Sequence, residues 1–176
     1  MQKTLLYGTL AVLVLVGTFF VFNTYLYKEK QAYAGVDHKN AEYVVDGARV
    51  QLTDGISEVS AAPGSASTIT TRYFGNELWK DLSGDGRDDV VFLLTQEGGG
   101  SGVFFYVVAA LATDAGYVGS EGLLLGDRIA PQTTESGTGK IVLVNYADRA
   151  PGDPFTVSPS IGKSIWLLLD PETMQF

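Results

Sequence analysis

Two apolar runs constrain the fold of this chain more than any other feature. Val90–Thr95 and Val103–Leu111 contain no charged residue, and the glycine-rich segment 98–102 separates them. A short apolar run bounded by turn residues is typical of a strand that is buried on both faces. The sequence therefore predicts that Val90–Thr95 is a central strand and that the two runs form an antiparallel pair joined by a flexible loop.

Shorter strand patterns surround this pair. The residues 43–45 and 48–52 flank Asp46-Gly47, which is a strong hairpin signal. Further strands are expected at 56–59, 68–74, 117–125, 127–133, 140–146 and 164–169. Because no segment after residue 30 has a sustained helical period, we expect an all-β domain over residues 41–176. It is a single antiparallel sandwich or partly open barrel.

The N-terminal segment has the pattern of a membrane anchor. Residues 5–22 carry no charge, and a helix of that length, extended by a few residues, spans the apolar core of a bilayer of about 30 Å. The alternative is a signal peptide cleaved after Ala32-Tyr33-Ala34, but the apolar run is longer than a typical signal sequence. We expect an uncleaved single-pass anchor over residues 1–30, a linker over 31–40, and the β domain outside the cytoplasm.

Composition excludes several classes of function. The net charge of −8 at pH 7 argues against a nucleic-acid partner. The chain has no cysteine, so disulfides, thiolate metal sites and thiol catalysis are excluded. The single histidine, His38, falls in the predicted linker, where we expect it to be solvated.

The segment Asp81–Asp89, called the acidic loop below, has the spacing of a calcium-binding loop. Numbered from Asp81, its oxygen-bearing side chains occupy positions 1, 3, 5 and 9, as Asp81, Ser83, Asp85 and Asp89. Gly86 occupies position 6, where a calcium loop turns sharply, and Arg87 at position 7 offers its backbone carbonyl. Alternate spacing turns successive side chains toward one point, so the loop predicts a Ca²⁺ site. The alternative is a metal-free turn, because Asp-Gly alone favours one.

The acidic loop resembles the calcium loops of EF-hands, dockerins and the repeats of integrin-type (FG-GAP/VCBS) propellers. It departs from the EF-hand pattern at Ser83 and at Phe92, which takes the place of the bidentate glutamate at position 12. A strand follows the loop, as in the propeller repeats, although the chain is too short for a propeller. The resemblance implies weak Ca²⁺ binding, with a dissociation constant of about 10⁻⁴–10⁻³ M.

Two similar segments suggest a second candidate site. Asp127-Arg128 and Asp148-Arg149 each precede an Ala-Pro pair at the end of a predicted strand. We call these four residues the Asp-Arg rim. The functional hypothesis is that the rim binds an anionic ligand or a partner protein through its arginines. The structural alternative is that each aspartate caps a turn and each arginine pairs locally.

The sequence contains no complete catalytic motif, so we expect a protein that is not an enzyme. A carbohydrate-active hydrolase built on two of Asp85, Asp88, Asp89 and Glu97 remains a third hypothesis. The segment from Tyr73-Phe74-Gly75-Asn76-Glu77 through the acidic loop to Gln132 also resembles an uncharacterised group of bacterial envelope proteins that are anchored at their N-termini, and the resemblance covers most of residues 41–150. This resemblance implies a cell-envelope location. The leading hypothesis is therefore a membrane-anchored binding or structural module.

Overall fold

The computed structural model describes Gly17, Thr18 and residues 37–176. The predicted anchor at 1–30 lies outside the described residues apart from Gly17 and Thr18, which are helical and exposed. In the described part of the chain no helix has both the length and the apolar character needed to span a bilayer. The account below concerns Val36–Phe176, which forms one unit.

Eleven strands follow a single short 3-10 helix, His38–Asn40, in residues 37–176. The strands are β1 (Glu42–Val45), β2 (Ala48–Gln51), β3 (Ile56–Ser60), β4 (Thr68–Lys80), β5 (Asp89–Gly98), β6 (Phe104–Thr113), β7 (Gly116–Gly119), β8 (Leu123–Asp127), β9 (Ala130–Ser136), β10 (Val142–Asp148) and β11 (Ile161–Leu167). The prediction of an all-β antiparallel domain is confirmed. The predicted strand 117–125 is divided into β7 and β8, which pair with successive parts of β6.

The strands form three antiparallel groups. The largest is a six-stranded sheet with the order β3-β4-β5-β6-β7, in which β8 also pairs with β6. The second is a three-stranded sheet with the order β11-β10-β9, and the third is the hairpin β1-β2. In that hairpin Asp46 and Gly47 have φ angles of 51° and 74°. Positive φ at both turn residues matches the twist of the two strands, so the predicted hairpin is confirmed.

Strand β5 is central and separates two hydrophobic cores, as the sequence predicted. Its alternate residues point to opposite faces of the sheet. The first core combines the large sheet with β10 and β11 and includes Val91, Leu93, Phe105, Val107, Val144 and Tyr146. The second combines the large sheet with the β1-β2 hairpin and includes Tyr43, Val45, Val90, Phe92, Leu94 and Val108. The predicted antiparallel pairing of β5 with β6 is also confirmed.

Strand β4 is longer than the sequence predicted. It continues past Phe74 to Lys80, and its pairing with β5 shifts register around Gly75. Gly75 and Asn76 have φ angles of 119° and 54°, which is the geometry of an irregularity within a strand. The strand resumes beyond this point and leads directly into the acidic loop.

Candidate functional site

The acidic loop connects β4 to β5 and folds around the carboxylate of Asp81. The backbone N–H of Gly84 donates to Oδ1 of Asp81 at 2.5 Å, and that of Gly86 donates to Oδ2 at 3.0 Å. Both glycines have φ near 90°, a conformation that other residues rarely adopt. The amide hydrogen bonds, led by that of Gly84, hold the pKa of Asp81 below its ordinary value. The loop therefore favours a carboxylate at this point.

Two of the predicted metal ligands, Asp81 and Ser83, lie in contact. The Oγ of Ser83 lies 3.4 Å from Oδ1 of Asp81. The pKa of Asp85 also lies below its ordinary value, and the largest cause is a hydrogen bond from the Arg87 side chain. The structure therefore brings Asp81 and Ser83 together, whereas the carboxylate of Asp85 is hydrogen-bonded to Arg87.

Asp89, the fourth predicted side-chain ligand, is fully buried. Its Oδ2 accepts the backbone N–H groups of Leu82 and Ser83, both at 2.9 Å. Its Oδ1 accepts the N–H of Ala112 on β6 at 2.8 Å. A buried carboxylate with three amide donors is well satisfied by the protein itself. These contacts favour a structural role in which Asp89 fixes the conformation of the loop.

Basic side chains of the chain occupy the surroundings of the loop. Arg87 donates to Oδ2 of Asp85 through Nη2 at 2.6 Å and through Nε at 2.9 Å. It also donates to Asp114 through Nη1 at 2.7 Å. Lys140, which the sequence analysis did not associate with the loop, donates to the carbonyl of Ser83 at 2.6 Å. These cations lower the electrostatic cost of placing several aspartates together.

Lys80, which directly precedes the acidic loop, donates its hydrogen bonds to the turn between β9 and β10. Its Nζ donates to Oγ of Ser136 and to the carbonyls of Gly137 and Ile141, at 2.8, 2.9 and 3.0 Å. Its charge therefore serves the turn between β9 and β10. Lys140 lies in that turn and donates to the acidic loop. Lys80 and Lys140 together connect the turn to the acidic loop.

The donor set fits a divalent cation in part. The Asp81 carboxylate and the Ser83 hydroxyl lie in contact, and oxygen donors suit hard cations such as Ca²⁺. Against a complete cage, no three aspartate, glutamate or histidine side chains in the described residues lie together as a metal-binding group. An ion at Asp81, Ser83 and Asp85 would therefore need backbone carbonyls and water to complete its coordination.

The structure brings the two Asp-Arg pairs together. Arg149 Nη1 donates to the carbonyl of Arg128 at 2.8 Å, and its Nε donates to the carbonyl of Val157 at 2.6 Å. Arg128 donates to its neighbour Asp127 through Nε and Nη2 at 3.0 and 2.8 Å. Its guanidinium also lies 3.8 Å from the ring centroid of Phe155. The recorded hydrogen bonds of both arginines go to the chain's own oxygen atoms, which favours the structural alternative.

The aspartates of the rim are similarly engaged. The Arg128 hydrogen bonds hold the pKa of Asp127 below its ordinary value. Asp148 pairs with Lys163 on β11 at 2.6 Å, and this hydrogen bond lowers its pKa. The rim thus closes the end of the three-stranded sheet through local ion pairs.

The prediction that His38 is a solvated linker residue is wrong. His38 begins the 3-10 helix and is only 5% exposed. Its Nε2 lies 2.8 Å from Oε1 of Glu77 on β4, and its Nδ1 lies 2.8 Å from Oδ1 of Asp37. The contact with Glu77 spans 39 residues, so no local pattern in the sequence could have indicated it.

The acids of the hydrolase hypothesis do not line either of two clefts formed by residues within 37–176. One cleft is lined by Glu121, Gly122, Leu123, Gln175 and Phe176. The other, of about 390 Å³, is lined by Ala61, Ser67, Ile69, Gln96, Gly98, Gly99 and Phe104. Neither contains Asp85, Asp88, Asp89 or Glu97, so neither supports that hypothesis.

Comparison of the chain with family models, with curated proteins and with solved structures gives no match.

Proposed function

We propose that this chain is a membrane-anchored extracytoplasmic module whose acidic loop takes up Ca²⁺ as a structural ion. In this proposal residues 1–30 form a transmembrane helix. Residues 41–176 form a sandwich-like β domain that serves as a binding or structural component of the cell envelope. The observation that carries the calcium proposal is the position of the Ser83 hydroxyl, whose Oγ lies 3.4 Å from Oδ1 of Asp81, two positions along the loop.

The anchor part of the proposal rests on the uncharged run at residues 5–22. A run of 18 or more uncharged, predominantly apolar residues is typical of a membrane-spanning helix. The extracytoplasmic location is inferred from calcium. A loop with a dissociation constant of about 10⁻⁴–10⁻³ M binds appreciably only where calcium is millimolar, as it is outside cells.

Within the loop, Asp81, Ser83 and Asp85 would supply the side-chain oxygens, and the carbonyl of Arg87 would supply another. The ion would take over the charge-neutralising role that Arg87 has toward Asp85. Asp89 would act by positioning, because its carboxylate already binds three amides. Binding to the folded state alone would stabilise the domain by mass action.

Thermal unfolding of the full chain in mild detergent tests this proposal. The samples contain EGTA, 2 mM Ca²⁺ or 2 mM Mg²⁺, and 2 mM is about two to twenty times the expected dissociation constant. At that excess the gain is about 0.6–1.8 kcal/mol, which corresponds to a rise of a few degrees in Tm. The proposal requires a rise that is selective for Ca²⁺ and absent in Asp85→Ala.

Asp114→Ala is the matched control, because Asp114 pairs with the same Arg87 and lies outside the loop. It should retain the calcium response. Identical melting curves in EGTA and in Ca²⁺ would overturn the metal site and leave the acidic loop as a turn closed by hydrogen bonds. Loss of the response in Asp114→Ala as well would mean that Asp85 is not a specific ligand.

Binding at the Asp-Arg rim is the alternative proposal. It draws on the proximity of the two arginines and on the exposed ring of Phe155, which is 57% accessible. A ligand would have to compete with the hydrogen bonds from the arginines to the chain's own oxygens. The effect of Arg149 on stability, considered in the Discussion, distinguishes the two roles.

A further inference from the structure

The imidazole of His38 faces a carboxylate at each of its two nitrogen atoms. Nδ1 lies 2.8 Å from Asp37 and Nε2 lies 2.8 Å from Glu77. A neutral imidazole donates one hydrogen bond and accepts at its other nitrogen, whereas the imidazolium donates at both. A carboxylate can only accept, so this arrangement is satisfied on both sides only when His38 carries a proton on each nitrogen.

Aromatic rings enclose the imidazole on the sides that the carboxylates leave open. The ring centroids of Phe92, Trp79, Tyr117 and Tyr73 lie 5.2, 5.4, 5.9 and 6.0 Å from that of His38. The backbone is held as well, because the hydroxyl of Tyr43 donates to the carbonyl of His38 at 2.6 Å. A charge in such surroundings depends strongly on its partners, because water contributes little to its solvation.

Glu77 is the acceptor on which this arrangement depends. Its Oε1 accepts from the Tyr73 hydroxyl at 2.7 Å and its Oε2 accepts from Nε1 of Trp79 at 3.2 Å. Burial alone would raise the pKa of Glu77, but hydrogen bonds from Tyr73 and His38 outweigh burial and lower it. Glu77 therefore remains a carboxylate near neutral pH.

The charged and titratable groups around His38 come from three elements besides its own helix. Asp37 and Lys39 adjoin it in the chain, and the Lys39 Nζ lies 3.9 Å from Glu77 and 4.2 Å from the Tyr73 ring centroid. Tyr43 on β1, Tyr73 and Glu77 on β4, and Tyr117 on β7 complete the set. Burial raises the pKa of Tyr43 and of Tyr73, so both stay protonated near neutral pH. Histidine is the one side-chain type in this set whose ordinary charge change falls between about pH 5 and 8.

We propose that His38, Asp37 and Glu77 form a pH-dependent clasp that fastens the segment entering the β domain to strand β4. With His38 protonated, residues 37–40 are held against the Tyr73, Trp79, Phe92 and Tyr117 rings. When the proton is lost, one carboxylate faces a bare nitrogen lone pair. The clasp then weakens, the segment detaches more often, and the aromatic recess beneath it becomes accessible.

The direction of the pH effect follows from this chemistry. The clasp is closed while His38 is charged and opens when rising pH removes that charge. The other connections of the segment do not titrate in this range. They include the Gly55 N–H to Lys39 carbonyl bond at 2.8 Å and the Asp54 N–H to Asn40 Oδ1 bond at 2.9 Å. Opening is therefore local, and the two cores remain intact.

Hydrogen exchange on the full chain in detergent, followed from pH 5.5 to 8.5, tests the clasp. The protection factor of the Asn40 amide, which donates to the Asp37 carbonyl at 2.8 Å, is compared with those of amides in β5 and β6. Because one charge-assisted hydrogen bond is lost, the protection factor of the Asn40 amide should fall about ten- to one-hundredfold as pH rises. Protection in β5 and β6 should not change.

Trp79 gives a second readout, because it hydrogen-bonds to Glu77 and its ring contacts His38. In a Trp166→Phe background, Trp79 is the only tryptophan, so its emission should follow the same single-proton transition. Glu77→Gln and His38→Gln should both abolish that transition. Two results would overturn the proposal. One is a fluorescence transition that persists in His38→Gln. The other is an Asn40 protection factor that is the same at pH 5.5 and at pH 8.5 in the wild type. If His38→Gln does not fold, the wild-type protection profile still decides.

Discussion

The buried carboxylate of Asp89 lies 2.8 Å from the backbone N–H of Ala112 and so ties the end of the acidic loop to β6. The same carboxylate accepts two amides from the loop itself. One side chain therefore sets both the internal shape of the loop and its attachment to the central sheet. This arrangement makes Asp89 important for folding whether or not an ion binds above it.

Replacing Asp89 with alanine should lower the free energy of unfolding by at least about 3 kcal/mol, because three backbone donors lose their acceptor. Urea denaturation at neutral pH measures the change. Asp88→Ala is the control, since Asp88 is exposed, and it should change stability by no more than about 0.5 kcal/mol. Similar effects for the two variants would show that the buried hydrogen bonds of Asp89 contribute little.

Arg149 should prove structural when it is replaced by methionine. Its guanidinium donates to the carbonyls of Arg128 and Val157, and hydrogen bonds from a charged group contribute about 1.5–3 kcal/mol each where they are buried. Because the site is partly exposed, we expect a loss of about 1–2 kcal/mol and faster proteolysis within residues 150–160. Arg49→Met is the matched control, because Arg49 is 81% exposed and pairs only with Glu42 in the recorded ion pairs. Unchanged stability of Arg149→Met would instead favour the ligand-binding role of the rim.

Acid should destabilise the domain through its lowered aspartate pKa values. The pKa values of Asp127 and Asp148 lie below the ordinary 3.8 because Arg128 and Lys163 hydrogen-bond to them. A group whose pKa is lower in the folded state stabilises the fold above its unfolded pKa and loses this effect as pH falls through the folded value. The free energy of unfolding should therefore decrease below about pH 4. Urea denaturation at steps from pH 6 to pH 2.5 measures this decrease. In Asp127→Asn the free energy of unfolding should fall less steeply with pH. The same pH dependence in this variant and in the wild type would contradict the stabilising role of the Asp127 carboxylate.

Gly119 should not tolerate alanine. A Cβ at this position would lie 2.2 Å from the Glu42 carbonyl oxygen and 2.5 Å from a ring carbon of the buried Tyr43. Forcing the β1-β2 hairpin away from β7 should cost about 1–3 kcal/mol or more. Gly162→Ala is the control, because a Cβ there meets nothing within 4 Å. Thermal unfolding of the Gly119→Ala and Gly162→Ala variants measures the difference. Equal Tm values would mean that the β1-β2 hairpin moves away from β7 without loss of stability.

Local sequence patterns predicted the parts of the fold that depend on local chemistry. The apolar residues of Val90–Thr95 require burial on both faces, and β5 lies between two cores. Asp46-Gly47 specifies a turn with two positive φ angles, and the hairpin has them. The length of β4 was underestimated, because the irregularity at Gly75 and Asn76 resembles the end of a strand when only the sequence is available.

Contacts between distant residues explain what the sequence did not predict. His38 is buried by a partner 39 residues away. Asp89 fits a ligand pattern by spacing, and its contact with Ala112, 23 residues away, adds a structural role that the spacing did not indicate. Lys140 reaches the acidic loop across 57 residues. In each case the side chain has the expected chemistry, and the tertiary fold selects the partner.

The position of β5 between two cores also bears on how this chain can vary over evolution. A substitution at Val91 concerns one core, and a substitution at Phe92 concerns the other. An insertion or deletion of one residue inside β5 would exchange the two faces for every residue beyond it. We therefore expect conservative substitutions on the two faces of β5 to be tolerated independently of each other. Insertions and deletions inside β5 should be rare. Length variation should instead collect in the exposed loops, such as residues 61–66 and 151–159.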